Sequence, residues 1–503
     1  MQRLEDLIQR HPEDARAIGA PGRDWMTYGD LRAQAQAVRA ALRGAGIGAS
    51  DRVAIVLPNG PEMATAFVTV AQSATTAPLN PAYKEDEFAF YLEDLKARAI
   101  IVEAGYDGPA RDAADRLGMT IIELSATEPA GSFTLSTDAV GSAPDAAPTA
   151  DDVALILHTS GTTSRPKIVP LLQSNIAASA ENIRASLDLT SEDCCLNVMP
   201  LFHIHGLIAA VSASLAAGAS ISCAPGFDAL KFYGWLEEVD PTWYTAVPTM
   251  HQAILARAPR NADIIEKARL RFLRSSSSSL PGPVMTQLAD TFGAPVVEAY
   301  GMTEAAHQMC CNPIAPGRQK PGAVGLPAGP EVAIAHEVEN RLVDGVGEIA
   351  ISGPNVTPGY EANPEANEKN FFEAGGKRWF RTGDQGMFDA DGYLSLTGRL
   401  KEIINRGGEK ISPLEVDGVL SDHPAVGQCV TFAVPHAKLG EDVAAAVVLK
   451  EGQSATDRDI RDFASERLAA FKVPRKILIL DEIPKGATGK LQRIGLAEKL
   501  GLS

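Results

Sequence analysis

Cysteine is scarce in this chain: six in 503 residues. Disulfide frameworks belong to short, cysteine-dense secreted domains, so that class is excluded. Cys194–Cys195 and Cys310–Cys311 are adjacent pairs without zinc-ligand spacing. All six read as reduced packing thiols. Positive charge is short as well. The 46 Lys and Arg face 63 Asp and Glu, a net charge of −17, which speaks against nonspecific nucleic-acid binding. Long apolar runs are missing. The longest weakly polar run, Gly206 to Cys223, is mostly Ala, Ser and Gly and falls short of the ~20 strongly apolar residues of a spanning helix. It predicts a buried helix instead. The N-terminal MQRLEDLIQRHPEDARA is charged and amphipathic, unlike a secretory leader. Gly501-Leu502-Ser503 is not a peroxisomal SKL address. These absences predict a cytoplasmic protein with no membrane span and no obligate protein partner.

What is present is ordinary globular composition, 45% hydrophobic and 22% charged, in a chain long enough for about three domain-sized units. The first hundred residues alternate helix and strand. Asp30 to Arg43 has apolar residues at helical spacing, stopped by Gly44 and Gly46. Val53 to Leu57 and Ala99 to Val102 read as strands, and Pro61 to Ala71 as a helix. Residues 126–150 are rich in Ala, Ser, Pro, Asp and Thr and read as a surface excursion. Apolar segments at Ser220–Ala224, Thr242–Ala246, Leu270–Leu273 and Val296–Ala299 repeat the alternation, which predicts α/β architecture with largely parallel sheets. From Val332 the pattern turns to short strands, at Val332–Ala335, Gly347–Ile351 and Gly392–Thr397. A small β subdomain is the expectation there. Beyond Gly398-Arg399 the chain becomes rich in Lys, Arg and Gly, then compactly α/β. The predicted boundary lies near residues 399–402.

Residues 158–167, HTSGTTSRPK, follow the strand-like run Val153 to Leu157. Glycine lets backbone approach an anion closely. Hydroxyls and bare N–H groups can then wrap phosphate oxygens, with Lys167 as a point charge. The string is not the GxxxxGK[ST] pattern of the common nucleotide triphosphatases. An acidic chain that handles a nucleotide must concentrate its cations locally. Lys167, Arg399, Lys401, Arg406, Lys410 and Lys490 are the candidates.

Four further strings follow in order: EAYGMTE (298–304), RTGD (381–384), GRLKEIINRGGEKISPLEV (398–416) and PKGATGK (484–490). With the loop at 158–167 they resemble the acyl-adenylate-forming superfamily of acyl-CoA synthetases over essentially the whole chain. One departure is Ile168 after Pro166-Lys167, where that superfamily usually has glycine. The resemblance implies an α/β fold: a large N-terminal domain of two α/β sheet subdomains plus a small β subdomain (1–399), then a small mobile C-terminal α+β domain (400–503). It implies that a carboxylate attacks the α-phosphate of ATP, and that coenzyme A then takes the acyl group. ATP, Mg²⁺ and coenzyme A are the implied cofactors. Carried onto this sequence, Thr159, Ser160, Gly161, Thr162, Thr163 and Lys167 would hold phosphates. Thr303 would contact the α-phosphate and Glu304 would bind the magnesium ion. Glu298 would belong to the nucleotide site, Ala299, Tyr300 and Gly301 would flank adenine, and Asp384 and Arg399 the ribose. Lys490 would bridge carboxylate and α-phosphate during adenylation. Lys401 would be the hinge that withdraws Lys490 and brings Arg406, Gly407, Gly408 and Lys410 to the coenzyme A channel.

The same resemblance makes PLFHIHG (200–206), LRSSSSSLPG (273–282) and TEAAHQM (303–309) the walls of the acid pocket. They offer hydroxyls and imidazoles where fatty or aryl acids would need apolar residues. Each donor left unsatisfied by an alkyl chain costs about 1–3 kcal/mol, against ~0.8 kcal/mol gained per buried methylene. A small dianionic acid is therefore expected. With WYTAVPTMHQ (243–252) these strings are similar to the oxalate–CoA ligases, which implies His205, Ser277 and His307 as contacts for the second carboxylate of oxalate. Arg274 is a weaker candidate that could pair instead with an acid in the sheet. His203 is implied as an aromatic gate. Malonate or another short acid, or a carrier-protein thiol in place of coenzyme A, are the alternatives. A protonated pocket histidine would make the KM for oxalate rise between about pH 6 and 9.

Overall fold

The computed structural model describes residues 2–159, 166–484 and 491–502. Parallel strands dominate the N-terminal portion and are split between two sheets. In the nine-stranded sheet, Arg16–Gly19, Ser220–Cys223, Cys194–Asn197, Trp243–Ala246, Phe272–Ser276 and Val296–Met302 run parallel in that spatial order. Antiparallel edges are added by Met26–Thr27 on one side and His307–Cys311 then Leu326–Pro327 on the other. The seven-stranded sheet runs Phe133–Ser136, Thr120–Ala126, Ala99–Glu103, Arg52–Val56, Thr75–Pro78, Val153–His158, Ile168–Leu172. Its last pair is antiparallel, so the chain leaves the sheet after His158 and re-enters it at Ile168.

The two sheets share one core. Val53, Ile55, Leu155 and Val169 of one pack in the same cluster as Ile221, Trp243 and Phe272 of the other. The helix Pro61–Ala71 fills the space between them. All its residues but Glu62 are buried, and a helix apolar on every side belongs inside a large protein. An antiparallel five-stranded sheet follows, ending with Leu394–Arg399 paired on Lys377–Phe388. A fourth sheet begins at Ile404–Arg406 and has its own core around Ile404, Val416, Val443 and Ile460. Between the third and fourth sheets no strand covers Leu400–Ile403.

Most elements stand where the sequence pattern puts them: the helix Tyr28–Gly44 and the strands Arg52–Val56, Val153–His158, Glu331–Ala335 and Gly347–Ser352. Three expectations need correction. The run Gly206 to Cys223 is helical only to Ala217, as a π-helical stretch His205–Ser212 and an α-helical one Ala213–Ala217; Ser220–Cys223 is a strand. The strand of the serine segment is Phe272–Ser276 rather than Leu270–Leu273, because Ser275 and Ser276 are buried strand residues. The excursion at 126–150 contains an edge strand, Phe133–Ser136, whose Phe133 is buried. Among the described residues, no helix is long and apolar enough to cross a membrane.

Candidate active site

Open α/β sheets place their ligands beyond the carboxyl ends of parallel strands. The candidate residues gather there. Thr159 follows Val153–His158, Ser277 follows Phe272–Ser276, and Thr303 follows Val296–Met302. The neck of the loop is tied: the Thr159 N–H donates to the Lys167 carbonyl at 3.0 Å, and the Lys167 N–H to Thr159 Oγ1 at 3.2 Å. Ser160, Gly161, Thr162 and Thr163 lie outside the described residues, as does Lys490. Ile168, the departure noted in the sequence, begins the returning strand, and its side chain is buried against the core of the seven-stranded sheet. A β-branched residue suits that position.

Behind the loop, Lys167 Nζ stands 4.2 Å over the Tyr360 ring centroid. Tyr360 Oη donates to Glu304 Oε1 at 2.7 Å. Glu304 is buried in a short 3₁₀ turn, Thr303–Ala305, whose carbonyl at Glu304 accepts the Thr357 N–H at 2.7 Å. Burial raises the Glu304 carboxyl above its ordinary value, opposed by the Tyr360 hydrogen bond and by Lys167. Burial likewise lowers Lys167. Tyr360 and Thr357 were not singled out by the sequence reading. Their signal is the turn string NVTPGY (355–360), where Gly359 sits at φ 146°.

Asp384 and Arg399 form a closed charge pair. Asp384 Oδ1 accepts from Arg399 Nε at 2.9 Å and Oδ2 from Tyr300 Oη at 2.5 Å. Arg399 is held above its usual value, chiefly by the Asp384 charge. The Tyr300 hydroxyl thus orients a carboxylate while its ring packs in the core. Glu298 accepts the Leu280 N–H at 2.9 Å and so pins the end of the serine segment. Burial pushes its carboxyl up to about 7. The Ala299 carbonyl accepts from Ser276 Oγ at 2.7 Å. Gly301 is required by close approach, since a Cβ there would lie 1.8 Å from the His307 carbonyl oxygen.

The region around His205, Arg274 and His307 is polar and deeply buried. His205 opens the π-helical stretch, a geometry often found at functional sites. Its Nδ1 is 3.0 Å from Ser277 Oγ and its Nε2 2.6 Å from Thr245 Oγ1. The His205 and His307 rings are 5.1 Å apart, tilted by 55°. Arg274 reaches His205 Nε2 with Nη1 at 3.3 Å and Gln308 Oε1 with Nη2 at 3.2 Å. The acid partner considered for Arg274 is not found among the described residues. Ser277, Ala306 and His307 all have φ between 47° and 99°, the left-handed region that non-glycine residues rarely enter. Strain of this kind concentrates where a site dictates backbone shape. Thr245 and Gln308 were missed by the sequence reading. Both lie inside quoted strings, yet nothing in a string shows which neighbour faces the pocket. His251, by contrast, is a packing histidine: Tyr244 and the Arg274 carbonyl bond it, and burial pushes it down to about 4. His203 lines a cavity of about 60 Å³ with Phe202, Thr303, His158, Tyr83 and Tyr91.

The small domain does not bring its candidate coenzyme A residues to this pocket in the present arrangement. Lys410 Nζ bonds Glu337 at 2.6 Å, and Gln385 bonds the same carboxylate at 2.7 Å. Successive strand residues point to opposite faces, so the hairpin lies on the Gln385 face, away from Asp384. Gly407 and Gly408 form its turn at φ 61° and 96°, and Arg406 bonds Asp442 at 2.6 Å. Lys401 does approach, near enough to depress Lys167. Arg493 bonds Asp417, and also Glu402 at 3.5 Å beside the hinge candidate.

Comparison with known proteins agrees with this geometry. Residues 4–361 match the model of the AMP-binding enzyme family, and residues 415–490 that of the AMP-binding enzyme C-terminal domain. An oxalate–CoA ligase of Arabidopsis thaliana is 46% identical over 97% of this chain and 96% of its own length. One of Saccharomyces cerevisiae is 42% identical over 90% and 87%. The ATP-bound crystal structure of MatB from Rhodopseudomonas palustris superposes with a TM-score of 0.88 at 27% identity, over 99% of both chains. Family models that match most of the chain, and relatives 42% and 46% identical over nearly all of it, have a single explanation: this chain belongs to the AMP-binding enzyme family.

Proposed function

We propose that the protein joins oxalate to coenzyme A at the expense of ATP, by way of oxalyl-AMP. Residues 1–399 would bind nucleotide and acid, and residues 400–503 would carry Lys490 in and out. One oxalate oxygen attacks the α-phosphorus and pyrophosphate leaves. The coenzyme A sulfur, having lost its proton, then attacks the acyl carbon and AMP leaves. The first step joins two anions, so neutralising charge is the main task. Lys167 and Lys490 supply cations, and Thr303 a hydroxyl toward the α-phosphate. Asp384, already oriented by Tyr300 and Arg399, offers acceptor oxygens to the ribose hydroxyls.

Glu304 fits a magnesium site. It is a buried carboxylate with a raised pKa, and no cluster of three metal-ligating side chains exists among the described residues. Mg²⁺ takes one or two carboxylates and completes its shell with phosphate oxygens and water. When bound it would neutralise phosphate charge during the attack.

The observation that carries the choice of acid is the donor set at His205 and Ser277, backed by a buried cation, at the end of the cleft opposite Asp384. A second carboxylate satisfies it and an alkyl chain does not. The six cysteines are free thiols, which suits the reducing cytoplasm where we place the enzyme. The test is coenzyme-A-stimulated pyrophosphate release with oxalate, malonate, glyoxylate, acetate, hexanoate and benzoate. Oxalate should dominate. Preference for hexanoate or benzoate would overturn the proposal.

A further inference from the structure

Arg274 is among the largest fully buried side chains of the molecule, yet it makes no ion pair with an acidic side chain among the described residues. Its polar contacts are His205 and Gln308, and its Nε has no partner. The thiols of Cys195 and Cys311 lie near it, but burial pushes Cys311 up to about 11 and raises Cys195 as well, so neither is a thiolate at neutral pH. Burial pushes Arg274 down to about 10, which leaves it charged at neutral pH. A buried charge normally has a partner. This one has no acidic partner among the described residues, and it stands one imidazole away from the place assigned to the acid.

The contacts also fix what the imidazole can be. A guanidinium only donates. The Gln308 side chain is held with its nitrogen toward Ser186 Oγ, at 2.8 Å, and the Ala328 carbonyl, at 3.1 Å, so its oxygen must face Arg274. Arg274 Nη1 therefore points an N–H at His205 Nε2, and Thr245 Oγ1 stands 2.6 Å from the same atom. A proton on Nε2 would oppose the guanidinium, whereas a bare lone pair accepts from both. The proton then resides on Nδ1, which faces Ser277.

We infer that Arg274 is a positioning and charge-selecting residue: it locks His205 as a neutral Nδ1–H donor and itself supplies the positive field that favours a dianionic acid. This deepens the oxalate reading and rests on it for the identity of the acid. It also replaces the expectation of a titrating pocket histidine. The groups facing His205 include Arg274 and Thr245 from neighbouring strands, Ser277, and the His307 ring. A fixed cation beside it disfavours the imidazolium, so the oxalate KM should lack a step from His205 between about pH 6 and 9.

The test uses full-length protein carrying ¹⁵N-histidine, with His205 assigned by a His205→Gln variant. Long-range ¹H–¹⁵N spectra should show a single ring proton on Nδ1 across that range. A doubly protonated His205 at pH 6, or a proton on Nε2, overturns the inference. Arg274→Gln should raise the KM for oxalate about tenfold or more while leaving the KM for ATP within about threefold. It should also narrow the preference for oxalate over glyoxylate, which has no second charge. Arg274→Lys should recover part of the loss. An unchanged oxalate KM in Arg274→Gln overturns the inference; if that variant does not fold, the wild-type spectrum decides. If the acid panel favours another acid while the spectrum shows the Nδ1 proton, the oxalate reading fails and the tautomer assignment stands.

Discussion

The two ends of the cleft treat an arginine in opposite ways. At the ribose end Arg399 is matched by Asp384, and Tyr300 completes the carboxylate. At the proposed acid end Arg274 is buried with no acidic partner among the described residues. In the proposed function a ribose, which is neutral, would meet charges that the protein has already balanced, with acceptor oxygens on offer. A dianion would arrive with charge, which makes an unbalanced cation a binding resource. The difference teaches that an unmatched buried charge is informative about the ligand, whereas a matched one describes the scaffold.

Several experiments would break or sharpen that contrast. The strongest concerns the third cation, which the small domain supplies. Lys490→Ala should slow adenylation by roughly 10²–10³, the scale for removing a charge-stabilising group, and leave thioester formation from supplied oxalyl-AMP within a few-fold. Equal loss in both half-reactions would show that Lys490 is not specific to the first. Next comes Gly301→Ala. Its new methyl would drive against the His307 carbonyl, displacing the acid wall by a fraction of an ångström or more. We expect about a hundredfold loss in kcat/KM for oxalate and about 1–3 kcal/mol of destabilisation. Full activity would mean that the hairpin Val296–Met302 and His307–Cys311 is softer than its geometry implies.

Asp384→Asn unbalances Arg399 deliberately. The KM for ATP should rise about tenfold, or ~1.4 kcal/mol, with the oxalate KM unchanged. A matching rise in both would erase the division of labour between the two ends. A pH experiment follows. Burial holds the Glu298 carboxyl at about 7 against an ordinary 4.5. Between those values the folded state keeps a proton that the unfolded state releases, so stability declines as pH rises through the window and is level above it. The upper bound is about 3 kcal/mol. Guanidinium midpoints at pH 5 and 8 should show that slope in the wild type and a reduced one in Glu298→Gln; identical slopes would sink the assignment. The smallest effect belongs to Glu337→Gln, which frees the exposed Lys410. A surface pair contributes about 0.2–1 kcal/mol, so turnover should move by less than about threefold.

The alternation of helix and strand was legible because apolar spacing is a local signal: the helix Tyr28–Gly44 and the strand Arg52–Val56 need no distant partner to be recognised. The ordered strings gave the family, and its membership brought Lys167, Glu304, Asp384 and Arg399 with it. What the sequence withheld is contact. Thr245 and Gln308 are as anonymous in a string as any strand residue until the nine-stranded sheet sets Thr245 beside Arg274 and the folded chain turns Gln308 toward the guanidinium. Tyr360 reaches Glu304 across 56 positions. The cation beside His205 was hidden for the same reason: Arg274 reaches it from another strand. Ile168 shows the converse, a departure from the family pattern that the sheet absorbs as an ordinary buried strand residue.

Arg493, three positions beyond Lys490, grips both Asp417 on the helix Pro413–Ser421 and Glu402 next to Lys401. In the proposed rotation those residues would behave as one lever with its fulcrum at Lys401. A dye placed on that helix would therefore report the stroke of the small domain without touching the chemistry it serves.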